Sequence, residues 1–134
     1  MSFLDSIIQR SIAGEGQAAI ADQFSTPCYS EDFAELLEPL LAPGGPAGLL
    51  HLCNDGACSW QEYGQRGIDA VLAAGIAFKT RQPGLLQLDE MDAFTAPRPR
   101  HTAMSTAKYA ALTGKTPRPW EDAVDAYVRG RAWR

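Results

Sequence analysis

The chain has 134 residues, 46% of them hydrophobic and 21% charged, with a net charge of −4. That profile belongs to a folded protein of ordinary domain size, so residues 1–134 read as one domain, with no need of disulfide or metal staples. Sixteen acidic residues against twelve basic ones speak against nucleic acid or an anionic membrane as the main partner, although basic residues gather towards the C-terminus and leave a local anion site open. No apolar run approaches the roughly 20 residues of a membrane span. Met1–Asp5 carries no basic region of a secretory signal. Three cysteines without a Cys-x-x-Cys spacing predict reduced thiols in a cytoplasmic protein, and no spacing of ligands marks a metal site.

In chain order, Phe3, Leu4, Ile7, Ile8 and Ile12 recur at helical spacing and predict a helix over 3–13, stopped by Gly14 and Gly16. Residues 17–21 read as a short strand, and 22–29 as a loop punctuated by Pro27. Ser30 reads as the N-cap of a helix that presents Phe33, Ala34, Leu36, Leu37, Leu40 and Leu41 on one face and kinks or ends near Glu38, before Pro39. Pro43–Pro46 is a turn. Residues 48–53 read as a buried strand, with His51 among apolar neighbours as a core histidine, and Asn54-Asp55-Gly56 ends it.

Ser59-Trp60-Gln61-Glu62 has the form of a capping box, and a helix is expected from Trp60 to about Ala74, with Gly75 beyond it. Residues 76–81 alternate like a half-buried strand. A short helical piece is expected over 85–94, an extended stretch around Pro97-Arg98-Pro99, and a turn or two of helix over 106–112 ended by Gly114. The last helix runs from Trp120 to about Arg129, with Glu121 and Asp122 in its first turn to suit the dipole. Helices alternating with isolated strands make the class α/β.

Three stretches carry a family resemblance. They are Asp22-Gln23-Phe24-Ser25-Thr26-Pro27-Cys28 with the helix start after it, Gly48 to Tyr63 with His51 and Ser59-Trp60-Gln61-Glu62, and Arg98-Pro99 to Lys108 followed by Pro119-Trp120-Glu121. In order and spacing they resemble the C-terminal part of dTDP-4-dehydrorhamnose reductases, extended short-chain dehydrogenase/reductases. The resemblance covers this chain but only about the last half of such an enzyme. Cys28 stands where the family usually has Thr, Thr102 replaces Ser, Met104 replaces Leu, and Ser105 replaces a common Asp.

The family binds NAD(P)H on a glycine-rich turn after its first strand and uses a Tyr-x-x-x-Lys pair. Neither pattern occurs here: Gly44-Gly45-Pro46 follows a helix, and no tyrosine has Lys four residues later. The resemblance therefore implies the substrate-binding portion without the glycine-rich half of the Rossmann domain. No cofactor and no catalytic residue is expected in this chain, and NAD(P)H is implied for the complete enzyme.

Arg98 is the first candidate for substrate binding, because a guanidinium suits a pyrophosphate; its neighbour Arg100 is the second. Gln23 is a candidate contact to sugar or base. Trp60 is a candidate for stacking, although a Trp at a helix start ordinarily packs on a core, as Trp120 is expected to do. Ser59 and Glu62 read as capping residues, Asp32 as a helix-dipole partner, and Cys28 as incidental. The reading is the dTDP-sugar-binding portion of a reductase that acts on the C4 ketone of dTDP-4-dehydro-rhamnose, inactive by itself. The alternative is a non-catalytic binding or regulatory subunit of the same superfamily. An unpaired strand over 48–53 would expose an apolar edge, to be covered by a missing Rossmann half or a second copy.

Overall fold

A computed structural model describes residues 2–133. The helices α1 (Phe3–Ala13), α3 (Trp60–Ala73) and α5 (Trp120–Arg129) form the centre, with α3 packed against both of the others. Leu4, Ile7 and Ile8 of α1 meet Ile68 and Val71 of α3, and Trp120, Val124 and Val128 of α5 complete the core. Two buried glycines of α3, Gly64 and Gly67, let α1 approach: a Cβ on Gly67 would overlap the Leu4 side chain.

The helix ends follow local chemistry. Ser2 caps α1: its Oγ accepts from the Asp5 N–H at 3.1 Å, and Asp5 Oδ2 accepts from the Ser2 N–H at 3.0 Å. Gly14 closes that helix in the left-handed region at φ 84°. The Ser59–Glu62 capping box of α3 forms as read from the sequence, with the Ser59 N–H donating to Glu62 Oε2 at 2.7 Å. The shorter helix α4 (Ala107–Thr113) ends at Gly114, and α5 has its expected bounds.

The strands are short. β1 (Ala18–Ile20) runs parallel to β4 (Gly84–Leu86), and β2 (Phe24–Ser25) pairs antiparallel with β3 (Cys58–Ser59). This helix-rich α/β arrangement agrees with the class read from the sequence.

Several expectations are corrected. Residues 48–53 form no strand: the segment is irregular and has no ladder partner among the described residues, Leu49 is 75% exposed and His51 is exposed, so the core-histidine reading and the apolar-edge argument lose their basis. Residues 76–81 also form no strand; Phe78 plugs into the core, the Thr80 N–H donates to the Ser11 carbonyl, and the Arg81 carbonyl accepts from Gln65. The helical piece over 85–94 is β4 followed by one 3-10 turn at Leu88–Glu90, because Gly84–Leu86 finds β1 as a partner. The 22–29 loop contains β2. The cap of α2 (Ser30–Leu37) is Tyr29, not Ser30, which is the first helical residue, and Pro39 turns the helix end into a 3-10 turn.

Candidate functional site

A cleft of about 670 Å³ lies where the N-terminus of α1, the 27–30 loop and α5 converge. Its walls are aromatic. Tyr29 meets Tyr127 edge-on at 5.7 Å, and Tyr63 meets Trp120 at 6.2 Å, both steeply inclined.

One side of the cleft is a polar cluster around Asp5, which is 5% exposed. Asp5 Oδ1 accepts from the Tyr127 hydroxyl at 2.6 Å and from Arg131 at 2.8 Å, while Oδ2 takes the Ser2 N–H. Burial by itself pushes the Asp5 carboxyl up, but the bonds from Tyr127 and Ser2 and the charge of Arg131 outweigh it and hold it below its ordinary value. Burial, and then the bond to Asp5, raise the Tyr127 phenol, and burial pushes Tyr63 up to about 12. Among the described residues, the cleft at neutral pH thus holds one carboxylate, one guanidinium and protonated phenols.

The opposite side rests on Asn54, which has no exposed surface. Its Oδ1 accepts from the Tyr29 N–H at 2.8 Å, and its Nδ2 donates to Asp32 at 2.5 Å and to the Arg118 carbonyl at 3.2 Å. Arg118 completes the knot with its guanidinium 2.7 Å from Asp32 Oδ1. Asp32 is therefore a buried anchor and not merely a dipole partner. These contacts tie the 27–32 loop to the segment before α5. Cys28 lines the cleft between them. Burial raises its thiol, as it does for Cys53 and for Cys58, the last to about 12, so all three are poor nucleophiles.

The residues singled out in the sequence lie apart from this cleft. Arg98 is exposed, with its guanidinium carbon 5.4 Å from the centre of the Phe94 ring and, among the described residues, no ion-paired carboxylate. Arg100 is committed to Asp22 and Asp89. Gln23 donates to the Pro99 carbonyl at 3.1 Å. Trp60 packs edge-on against Phe3 at 4.7 Å and borders a side groove that shares Pro27, Cys28 and Tyr63 with the main cleft. The structure thus joins Gln23 to the Arg98–Arg100 segment and sets Trp60 beside the cleft.

Asp5, Asn54 and Tyr127 were missed as site residues. The Ser-x-x-Asp pattern at 2–5 signals a cap and so places Asp5, but nothing local marks Asn54 as more than a turn residue or Tyr127 as more than part of an apolar face.

The glycine-rich turn does not fit a dinucleotide. A pyrophosphate needs inward-pointing backbone N–H groups at a helix start. Gly45 instead lies against the carbonyl oxygens of Leu40 and Ala42 and donates its N–H to Ala42, and no helix begins there.

Residues 1–132 match the RmlD substrate binding domain. The chain is 24% identical over 136 residues to the spore coat polysaccharide biosynthesis protein SpsK of Bacillus subtilis, covering 98% of this chain and 43% of that protein. It is 30% identical over 123 residues to a dTDP-4-dehydrorhamnose reductase of Mycolicibacterium smegmatis, covering 90% of this chain and 36% of that protein. Among solved structures, it resembles the fold of a dTDP-4-dehydrorhamnose reductase from Bacillus anthracis, determined in complex with NADP. There the TM-score is 0.81 at 19% identity, covering 98% of this chain and 44% of that one. A reductase of the same kind from Clostridium acetobutylicum gives a TM-score of 0.79, again at 19% identity, over 96% of this chain and 43% of that one. The chain thus spans less than half the length of these relatives.

Proposed function

From the premise that the chain belongs to the RmlD substrate binding domain family, we propose that it is the dTDP-sugar-binding portion of a dTDP-4-dehydrorhamnose reductase-like protein. The observation that carries this reading is the match over residues 1–132. A relative named as a dTDP-4-dehydrorhamnose reductase supports it over nine-tenths of the chain.

In this reading the chain binds and orients the sugar nucleotide. Hydride from NAD(P)H and proton transfer to the C4 oxygen come from residues outside these 134, on a Rossmann half or partner. Arg98 is the residue proposed to take the diphosphate, because its guanidinium is exposed and backed by Phe94. Gln23 and Arg100 act as positioning residues: they hold the Arg98 segment against Asp22, Asp89 and the start of β2. Trp60 borders the sugar end through the groove beside Tyr63.

Calorimetric titration of the chain with dTDP, and with NADPH in parallel, tests this. Binding of dTDP with no heat from NADPH is expected. Binding of NADPH with none of dTDP overturns the reading.

A further inference from the structure

We propose that the aromatic cleft between α1, α5 and the 27–30 loop holds the uncharged pyranose ring of the sugar nucleotide and leaves its diphosphate outside. This inference rests on the sugar-nucleotide reading and says where on the chain each part of the ligand sits.

Charge is the first reason. The guanidinium lining the cleft, Arg131, is already spent on Asp5, and its carbon lies 4.6 Å from the centre of the Tyr127 ring. A diphosphate entering the cleft would meet the Asp5 carboxylate with no spare cation among the described residues that line it. Arg98, with no acidic partner among the described residues, lies outside.

Shape is the second reason. A flat base is held best by parallel aromatic plates, whereas the rings here meet at 78° for Tyr29–Tyr127 and 64° for Tyr63–Trp120. Such corners suit a puckered ring with C–H faces and hydroxyl edges. The cleft volume of about 670 Å³ is ample for one sugar.

Hydrogen-bonding capacity is the third reason. A carboxylate offers about four acceptor sites. Asp5 uses three, for Tyr127, Arg131 and Ser2, so one remains for a ligand hydroxyl. The Tyr63 phenol, held protonated by burial, is a donor for a second hydroxyl, while the Tyr127 proton is already given to Asp5.

Reach connects the two parts. The Phe24 N–H is bonded to the Arg100 carbonyl, and the chain runs from there along β2 to Cys28 at the cleft. Four residues from Phe24 to Cys28 span at most about 14 Å, and the two from Arg100 back to Arg98 at most about 7 Å, an upper bound comparable to the length of a nucleoside diphosphate sugar.

The test is a set of ¹H–¹⁵N NMR titrations of the 134-residue chain with methyl α-L-rhamnoside, thymidine, inorganic pyrophosphate and dTDP-rhamnose, each alone. The rhamnoside is expected to shift the Trp120 indole and the Tyr29 and Tyr127 amides, while thymidine and pyrophosphate leave those signals in place. Tyr29→Ala is expected to weaken the rhamnoside response at least fivefold, and Arg98→Ala to leave it unchanged. A cleft response to thymidine or pyrophosphate, or none to the rhamnoside, overturns the inference. If dTDP-rhamnose shifts only residues outside the cleft, the inference falls while the sugar-nucleotide reading stands. If dTDP-rhamnose shifts nothing, both fall.

Discussion

Asn54 and Asp32, 22 residues apart in the chain, meet through Nδ2 and Oδ2 at 2.5 Å in the interior, and the pair holds the loop that forms one wall of the cleft. Neither residue belongs to a long apolar run. Their value lies in satisfying each other where water does not reach, since a buried polar group without a partner costs free energy.

Removing that amide should therefore be costly. Asn54→Ala strips a hydrogen bond from Asp32 and one from the Tyr29 N–H. An expected loss is about 2–3 kcal/mol by urea unfolding. Asn54→Asp sets a second carboxylate beside Asp32, so its loss should be larger at pH 7 than at pH 4. Equal losses at both pH values would contradict this.

Asp5 should leave a signature in acid. Its folded-state carboxyl titrates below its ordinary value, so the stability it adds is present above the unfolded value of about 3.9 and is lost as pH falls through the lower folded value. Stability should thus decline below about pH 4, and Asp5→Asn should flatten that decline while lowering stability at pH 7. Tyr127→Phe removes the strongest neutral donor to Asp5 and should cost about 1–2 kcal/mol at pH 7. Thermal melts at several pH values read both effects.

Gly67 tests the contact between α1 and α3. A Cβ there overlaps Leu4, which is 1% exposed and has little room to move. Gly67→Ala should lose about 1–3 kcal/mol through overpacking, despite the better helix propensity of Ala. A more stable variant would show that the two helices separate easily.

The two arginines of the Pro-rich segment should behave differently. Arg98→Ala is expected to weaken dTDP binding about tenfold, roughly 1.4 kcal/mol, with no change in melting temperature. Arg100→Ala frees Asp22 and Asp89, but the pair is half-exposed, so its stability cost should stay below about 1 kcal/mol. Its effect on affinity should come through disorder of the Arg98 segment. A larger affinity loss in Arg100→Ala than in Arg98→Ala would reverse the two roles.

The helices were legible in the sequence because their instructions are local. Apolar residues recur every three or four positions in 3–13, 60–73 and 120–129, and Ser59, Gly14 and Gly114 carry their own start and stop chemistry. The segment 22–34, the Ser59 box and the Pro119-Trp120 helix start also carried the family resemblance, which the match over 1–132 bears out.

The strands and the cleft were not legible, because each depends on a distant partner. Leu49-Leu50-His51-Leu52 has the composition of a strand but no ladder beside it, while Gly84-Leu85-Leu86 looks unpromising and becomes one because Ala18–Ile20 lies alongside. Asp5 and Tyr127 are separated by 122 residues and share one hydrogen bond. Local periodicity and capping thus decided which segments are helical. Pairing of backbone edges and burial of polar groups act between segments far apart in the chain, so only the tertiary structure decided which extended segments are strands and which side chains form the cleft.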